Sequence, residues 1–151
     1  MLIIGLRPLP MTWKPLKHFS KIAGTIGVCL LEDKGNVPMV NIPNEIIEKI
    51  SMFLHSISAR GLHIERAILF GSYTKGTANK WSDIDLALVS KDFTGSGFYD
   101  RKKVNPYLIK IDSRIEPHPF RPEDFTEDNP FVNEILKDAI EITLNSESNK
   151  S

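Results

Sequence analysis

Leu69-Phe70-Gly71-Ser72-Tyr73-Thr74-Lys75-Gly76-Thr77-Ala78-Asn79-Lys80-Trp81-Ser82-Asp83-Ile84-Asp85-Leu86-Ala87-Leu88-Val89 is the stretch that decides how this chain is read. Ile68, Leu69 and Phe70 form an apolar run that suits a buried strand, and Gly71-Ser72 ends it with a residue that permits tight turning and close backbone approach. A second strand opens at Asp83. Side chains at i and i+2 of an extended chain share a face, so Asp83 and Asp85 are expected to project together. Two carboxylates about 6–7 Å apart repel by roughly 2–3 kcal/mol at an effective dielectric near 20. A divalent cation cancels that repulsion, and oxygen ligands on a rigid strand suit Mg²⁺ shared with substrate phosphates. A short helix after Ser72 would aim free backbone N–H groups at a polyphosphate, with the Ser72 hydroxyl as a further donor. Gly71 and Ser72 are therefore the candidate nucleotide contacts, beside a metal site at Asp83 and Asp85.

The flanking sequence reads as scaffold. Asn41-Ile42-Pro43 opens a helix with Glu45 in its first turn, apolar Ile46, Ile47, Ile50, Phe53, Leu54 and Ile57 at helical spacing, and Gly61 just beyond its end. The segment from Leu62 to Phe70 leads into the first strand, and Thr94-Gly95-Ser96-Gly97 reads as a loop. Tyr99 to Ile111 has helical spacing in Val104, Leu108 and Ile111, but Pro106 would kink or delay that helix. Ser113-Arg114-Ile115-Glu116-Pro117-His118-Pro119-Phe120 is a short extended stretch whose prolines fit an edge or terminal position. His118, between two prolines beside an acidic residue, reads either as a substrate contact or, the commoner case, as a solvated loop histidine. Asp128-Asn129-Pro130 starts a last helix, and Ile140 to Leu144 a final strand. These aliphatic stripes are core and not a cofactor box.

A chain of 151 residues with 41% hydrophobic residues can bury one core. Its 19 basic residues balance 19 acidic ones, so no broad polyanion-binding field exists and nucleic acid is not an expected partner. Arg101, Lys102 and Lys103 read as a solvated helix face. The single cysteine, Cys29, excludes an internal disulfide, and no apolar span of about 18 residues suggests a membrane helix. A reducing cytoplasm is the expected location. Residues 1–38 lack the periodicity of a single element and read as an N-terminal extension, poorly ordered or the product of a start set upstream of Met39. The domain itself is placed at 39–145, and the polar end, 146–151, reads as a disordered tail.

Gly-Ser, ten residues, then Asp-x-Asp, here GSYTKGTANKWSDIDLALV, resembles the signature of the minimal nucleotidyltransferases of the DNA polymerase β superfamily. The resemblance covers roughly residues 40–144 and implies an α/β (α+β) fold of the polymerase palm type, a small mixed sheet with helices packed on it. It also implies a third carboxylate on a neighbouring strand, for which Glu116 is the candidate. Asp83, Asp85 and Glu116 would then hold two Mg²⁺ ions, with ATP as substrate, and transfer a nucleoside monophosphate to a hydroxyl. Lys75 stands where relatives often carry a small residue or Arg before glycine, and it reads either as a contact to the leaving pyrophosphate or as a surface lysine. Chains this small resemble the antitoxins that pair with a helical HEPN ribonuclease toxin and silence it by placing AMP on a tyrosine. Transfer to a small-molecule hydroxyl and a purely binding antitoxin are the alternatives.

Overall fold

Six strands form one mixed sheet in the order β1-β2-β6-β3-β4-β5. The computed structural model describes Phe19–Ser20, Ile26–Leu30 and residues 41–144. In chain order the elements are β1 (Phe19–Ser20), β2 (Ile26–Leu30), α1 (Asn44–Ser58), β3 (Arg66–Phe70), α2 (Ser72–Lys75), β4 (Ile84–Val89), α3 (Gly97–Ile111), β5 (Ile115–Phe120), α4 (Pro130–Leu136) and β6 (Ile140–Leu144). The α/β fold class expected from the sequence is the one observed. Within the segment expected as an extension, β2 pairs antiparallel with β6 and β1 with β2. The rest of residues 1–38, and the tail 146–151, lie outside the described residues.

Two cores sandwich the sheet. On one face α1 and α3 lay Ile46, Ile50, Phe53, Ile57, Val104 and Leu108 against Leu69, Leu86 and Leu88. On the other, Ile68, Ala87 and Val89 meet Phe125 and α4's Val132 and Ile135. Strand β4 is thus covered on both sides, which is why Ile84-Asp85-Leu86-Ala87-Leu88-Val89 is apolar at every position except Asp85. Asp85 lies on the α4 face, where that cover stops.

The prolines of β5 follow the edge rule. The amide of Ile84 donates to Arg114 O (2.8 Å) and that of Ser90 to Phe120 O (3.0 Å), so the even-numbered residues of β5 turn their backbone polar groups toward β4. Pro117 and Pro119 are odd-numbered, and their missing N–H groups fall on the open edge, where no ladder bond is lost. Helix α3 departs from expectation. It begins at Gly97 and runs unbroken through Pro106. Pro106 sits on the exposed side, where water can satisfy the carbonyl a proline leaves without a donor, while Val104 and Leu108 hold the buried side in register. No described helix is long and apolar enough to cross a membrane.

Candidate active site

The ten-residue spacer folds so as to return the chain beside itself. Strands β3 and β4 are antiparallel neighbours with Phe70 opposite Asp85. Between them, Gly71 O accepts from the amides of Thr74 and Lys75 (both 3.2 Å) and from the Thr74 hydroxyl (3.0 Å), closing the single turn of α2. The amides of Ser72 and Tyr73 precede the first intrahelical bond. Asn79 and Ser82 then form a tight turn: Asn79 N–H donates to Ser82 Oγ (2.9 Å), Ser82 N–H to Asn79 O (3.0 Å), and Trp81 N–H to Asn79 Oδ1 (2.8 Å). A four-residue helix and this turn fill the gap between Gly-Ser and Asp-x-Asp.

Gly71 is required for more than turning. Its φ of +79° and ψ of −144° are open to glycine alone, and a Cβ there would meet Asp85 Cγ at 3.2 Å and Cβ at 3.4 Å, with Oδ2 closer still. The absent side chain is the space that the Asp85 carboxylate occupies.

Parallel pairing of β4 with β5 sets Glu116 beside Asp85 and His118 beside Ala87. Glu116, His118 and Phe120 share one face by alternation, the face of Asp85. His118 Nε2 lies 3.4 Å from Asp85 Oδ1 and 4.0 Å from Glu116 Oε1. One ligand atom from each of the three falls within 4.8 Å of the others. Side-chain exposure grades across the site, 13% at His118, 25% at Asp85 and 48% at Glu116, so the cluster has a dry back and a wet front. Phe70 and Phe131 pack against His118, with ring centroids 5.1 Å and 5.7 Å away.

Asp85 and Glu116 come together, and Gly71 abuts them with Ser72 next in line. Asp83 is exposed, one residue ahead of β4, and stands outside the compact cluster. His118 differs from expectation, since it is a strand residue turned inward and not a solvated loop histidine. The alternation that puts 83 and 85 on one face of a strand also puts 116 and 118 on one face. Two anions with ligand atoms no more than 4.8 Å apart repel by roughly 3–4 kcal/mol at an effective dielectric near 20, and two carboxylates plus an imidazole converging on one point have the chemistry of a divalent cation site.

A separate cavity of about 720 Å³ is lined by Lys49, Tyr73, Trp81, Asp112 and Arg114 among others, and Asp85, Glu116 and His118 do not contribute to it. Asp112 accepts from Arg114 (2.7 Å) and Lys49 (2.8 Å), and those two cations, Arg114 foremost, hold its carboxyl far below the usual range. That network ties α1 to the entry of β5.

A family model described as "Nucleotidyltransferase domain" matches residues 47–145. The chain belongs to the nucleotidyltransferase domain family. The matched residues hold the Gly71-Ser72 turn, both aspartates and Glu116, so the family assignment and the cluster meet in one place. No curated protein matches the chain. A solved structure from Sulfolobus solfataricus, named a "putative nucleotidyltransferase", is similar at 18% identity over 68% of this chain and 88% of that one, with a TM-score of 0.43.

Proposed function

We infer that this protein is a dication-dependent nucleotidyltransferase that moves AMP from ATP to a hydroxyl, and that the hydroxyl is a tyrosine of a helical HEPN-type toxin for which it is the antitoxin. The observation that carries the transferase reading is the convergence of Asp85 and Glu116 beside a glycine turn within a chain of the nucleotidyltransferase family. The toxin partner follows from the resemblance of the small Gly-Ser and Asp-x-Asp domain to the minimal antitoxins.

Asp85 and Glu116, with Asp83 swung in from the strand entry, are the residues to hold the ions, which when bound supply charge neutralisation at the phosphates and a lowered pKa at the acceptor. Gly71 and Ser72 present their backbone to the phosphates, and the side chain of Ser72 adds a donor to the leaving group. Glu116, more exposed than Asp85 and His118 beside it, faces the incoming acceptor and takes its proton. The acceptor oxygen then bonds to the α-phosphorus as the bond from that phosphorus to the bridging oxygen breaks, and pyrophosphate departs with the electron pair. The open front of the cluster gives a protein-borne hydroxyl access.

Co-expression with a helical HEPN partner tests the reading. Mass spectrometry of the partner should show one AMP on a tyrosine with the wild-type chain and none with Asp85→Asn, Glu116→Gln. An unmodified partner held in a stable complex would leave a binding antitoxin, and AMP on a small molecule without any partner would move the acceptor elsewhere.

A further inference from the structure

The geometry points to His118 as a nitrogen ligand of the bound dication, giving this chain a mixed carboxylate and imidazole centre that favours Mn²⁺ over Mg²⁺. The inference uses the transferase reading only for the presence of an ion between Asp85 and Glu116. Its substance lies in the third donor.

Three features aim the ring. His118 stands two residues beyond Glu116 on β5 and so shares its face. Its neighbour on β4 is Ala87, fully buried and small, which leaves room for the imidazole to lean along the sheet toward Asp85. Phe70 and Phe131 pack on the ring edge to face or tilted, fixing its plane while Nε2 turns to the carboxylates. A histidine recruited only to fill the apolar corner of these phenylalanines would not need its nitrogen toward two anions.

The separations suit coordination. Ligands at about 2.1 Å from an octahedral ion lie about 3.0 Å apart when adjacent and about 4.2 Å when opposite. The observed 3.4 Å and 4.0 Å from Nε2 fall between these values and the two carboxylate oxygens lie within 4.8 Å of each other, so side-chain rotations of under about 1 Å bring all three atoms onto one ion. Mg²⁺ prefers oxygen and gives up water reluctantly, whereas imidazole binds first-row transition ions well. Replacing one oxygen of an all-carboxylate site by nitrogen therefore shifts preference from Mg²⁺ toward first-row transition ions, and Mn²⁺, the one whose oxygen chemistry lies nearest to Mg²⁺, gains relative to it. Coordination through Nε2 leaves the ring proton on Nδ1.

Electron spin echo spectroscopy of the full chain loaded with one equivalent of Mn²⁺ reads the bond directly. Modulation from a coordinated ¹⁴N is expected, replaced by the ¹⁵N pattern when histidine is ¹⁵N-labelled, and lost in His118→Gln with Mn²⁺ still bound. In the same variant the Mn²⁺ dissociation constant should rise at least about tenfold, while Mg²⁺, measured by competition, moves less than about threefold. Mn²⁺ bound to the wild type without nitrogen modulation would overturn the assignment and leave the carboxylate site intact. Failure of the wild type to bind Mn²⁺ at all would overturn it together with the transferase reading.

Discussion

Replacing Gly71 by alanine tests the coupling between the turn and the carboxylate. The backbone at φ +79° and ψ −144° costs an L-residue about 1–3 kcal/mol. The new Cβ would also lie inside van der Waals contact with the Asp85 carboxylate, which must move by about 1 Å, bringing the total to roughly 2–4 kcal/mol. For a chain of this length that corresponds to a Tm lower by about 6–12 °C. A displacement of about 1 Å at a reacting centre costs on the order of 100-fold in rate. Gly76→Ala is the control, because Gly76 also has positive φ (+71°) but nothing within 4 Å of a Cβ. It should lose about 1–2 kcal/mol and leave transfer within about threefold. The assay is urea unfolding of both variants alongside transfer of α-labelled AMP under conditions where both are folded. Transfer by Gly71→Ala equal to that of Gly76→Ala would refute the claim that the missing side chain makes room for Asp85.

Other perturbations separate scaffold from site. Asp112 keeps its charge in the folded chain at pH values where an unfolded aspartate, with a pKa near 3.9, takes up a proton, so its stabilisation is complete above about pH 4 and fades as pH falls below that; urea unfolding at pH 7 and pH 3 should show a smaller acid loss in Asp112→Asn than in wild type. The Arg66 guanidinium donates twice to Glu141 (2.9 and 3.0 Å), joining β3 to β6, and Glu141→Gln should cost about 1–2 kcal/mol by urea unfolding without altering dication affinity. Buried Asp100 accepts from Thr94 N–H (2.8 Å), the Thr94 hydroxyl (3.0 Å) and Gly95 N–H (3.0 Å); Asp100→Asn, which removes the charge and sets an NH₂ among these donors, should cost about 2–3 kcal/mol and speed hydrogen exchange at the Gly95 amide.

Where local pattern and tertiary demand agree, the sequence was readable. The α1 stripe from Ile46 to Ile57 carried its own period, and Asn129-Pro130 is a cap whose side chain accepts from Phe131 N–H (3.0 Å) just as its residue type suggests. Pro106 misled because propensity does not say which way a proline faces, and in α3 it faces solvent. At the site, Asp85 stands out through the Asp-x-Asp alternation and Glu116 through the family resemblance, but their meeting depends on the parallel register of β4 and β5, which no local pattern encodes. The same register decides between the two readings of His118, because the prolines beside it mark an edge strand without saying which residues of β4 its ring will meet. Ile26–Leu30 pairs with β6, a contact more than a hundred residues away in sequence and beyond any short window.

The most direct measurement incubates the purified chain and its candidate partner with Mg²⁺ and ATP labelled at the α-phosphate, in parallel with ATP labelled at the γ-phosphate. The account predicts that label passes to the acceptor from the α position only, with pyrophosphate released, and that Asp85→Asn, Glu116→Gln abolishes it while remaining folded. Label from the γ position, no label from the α position, or undiminished transfer by the double variant would contradict it.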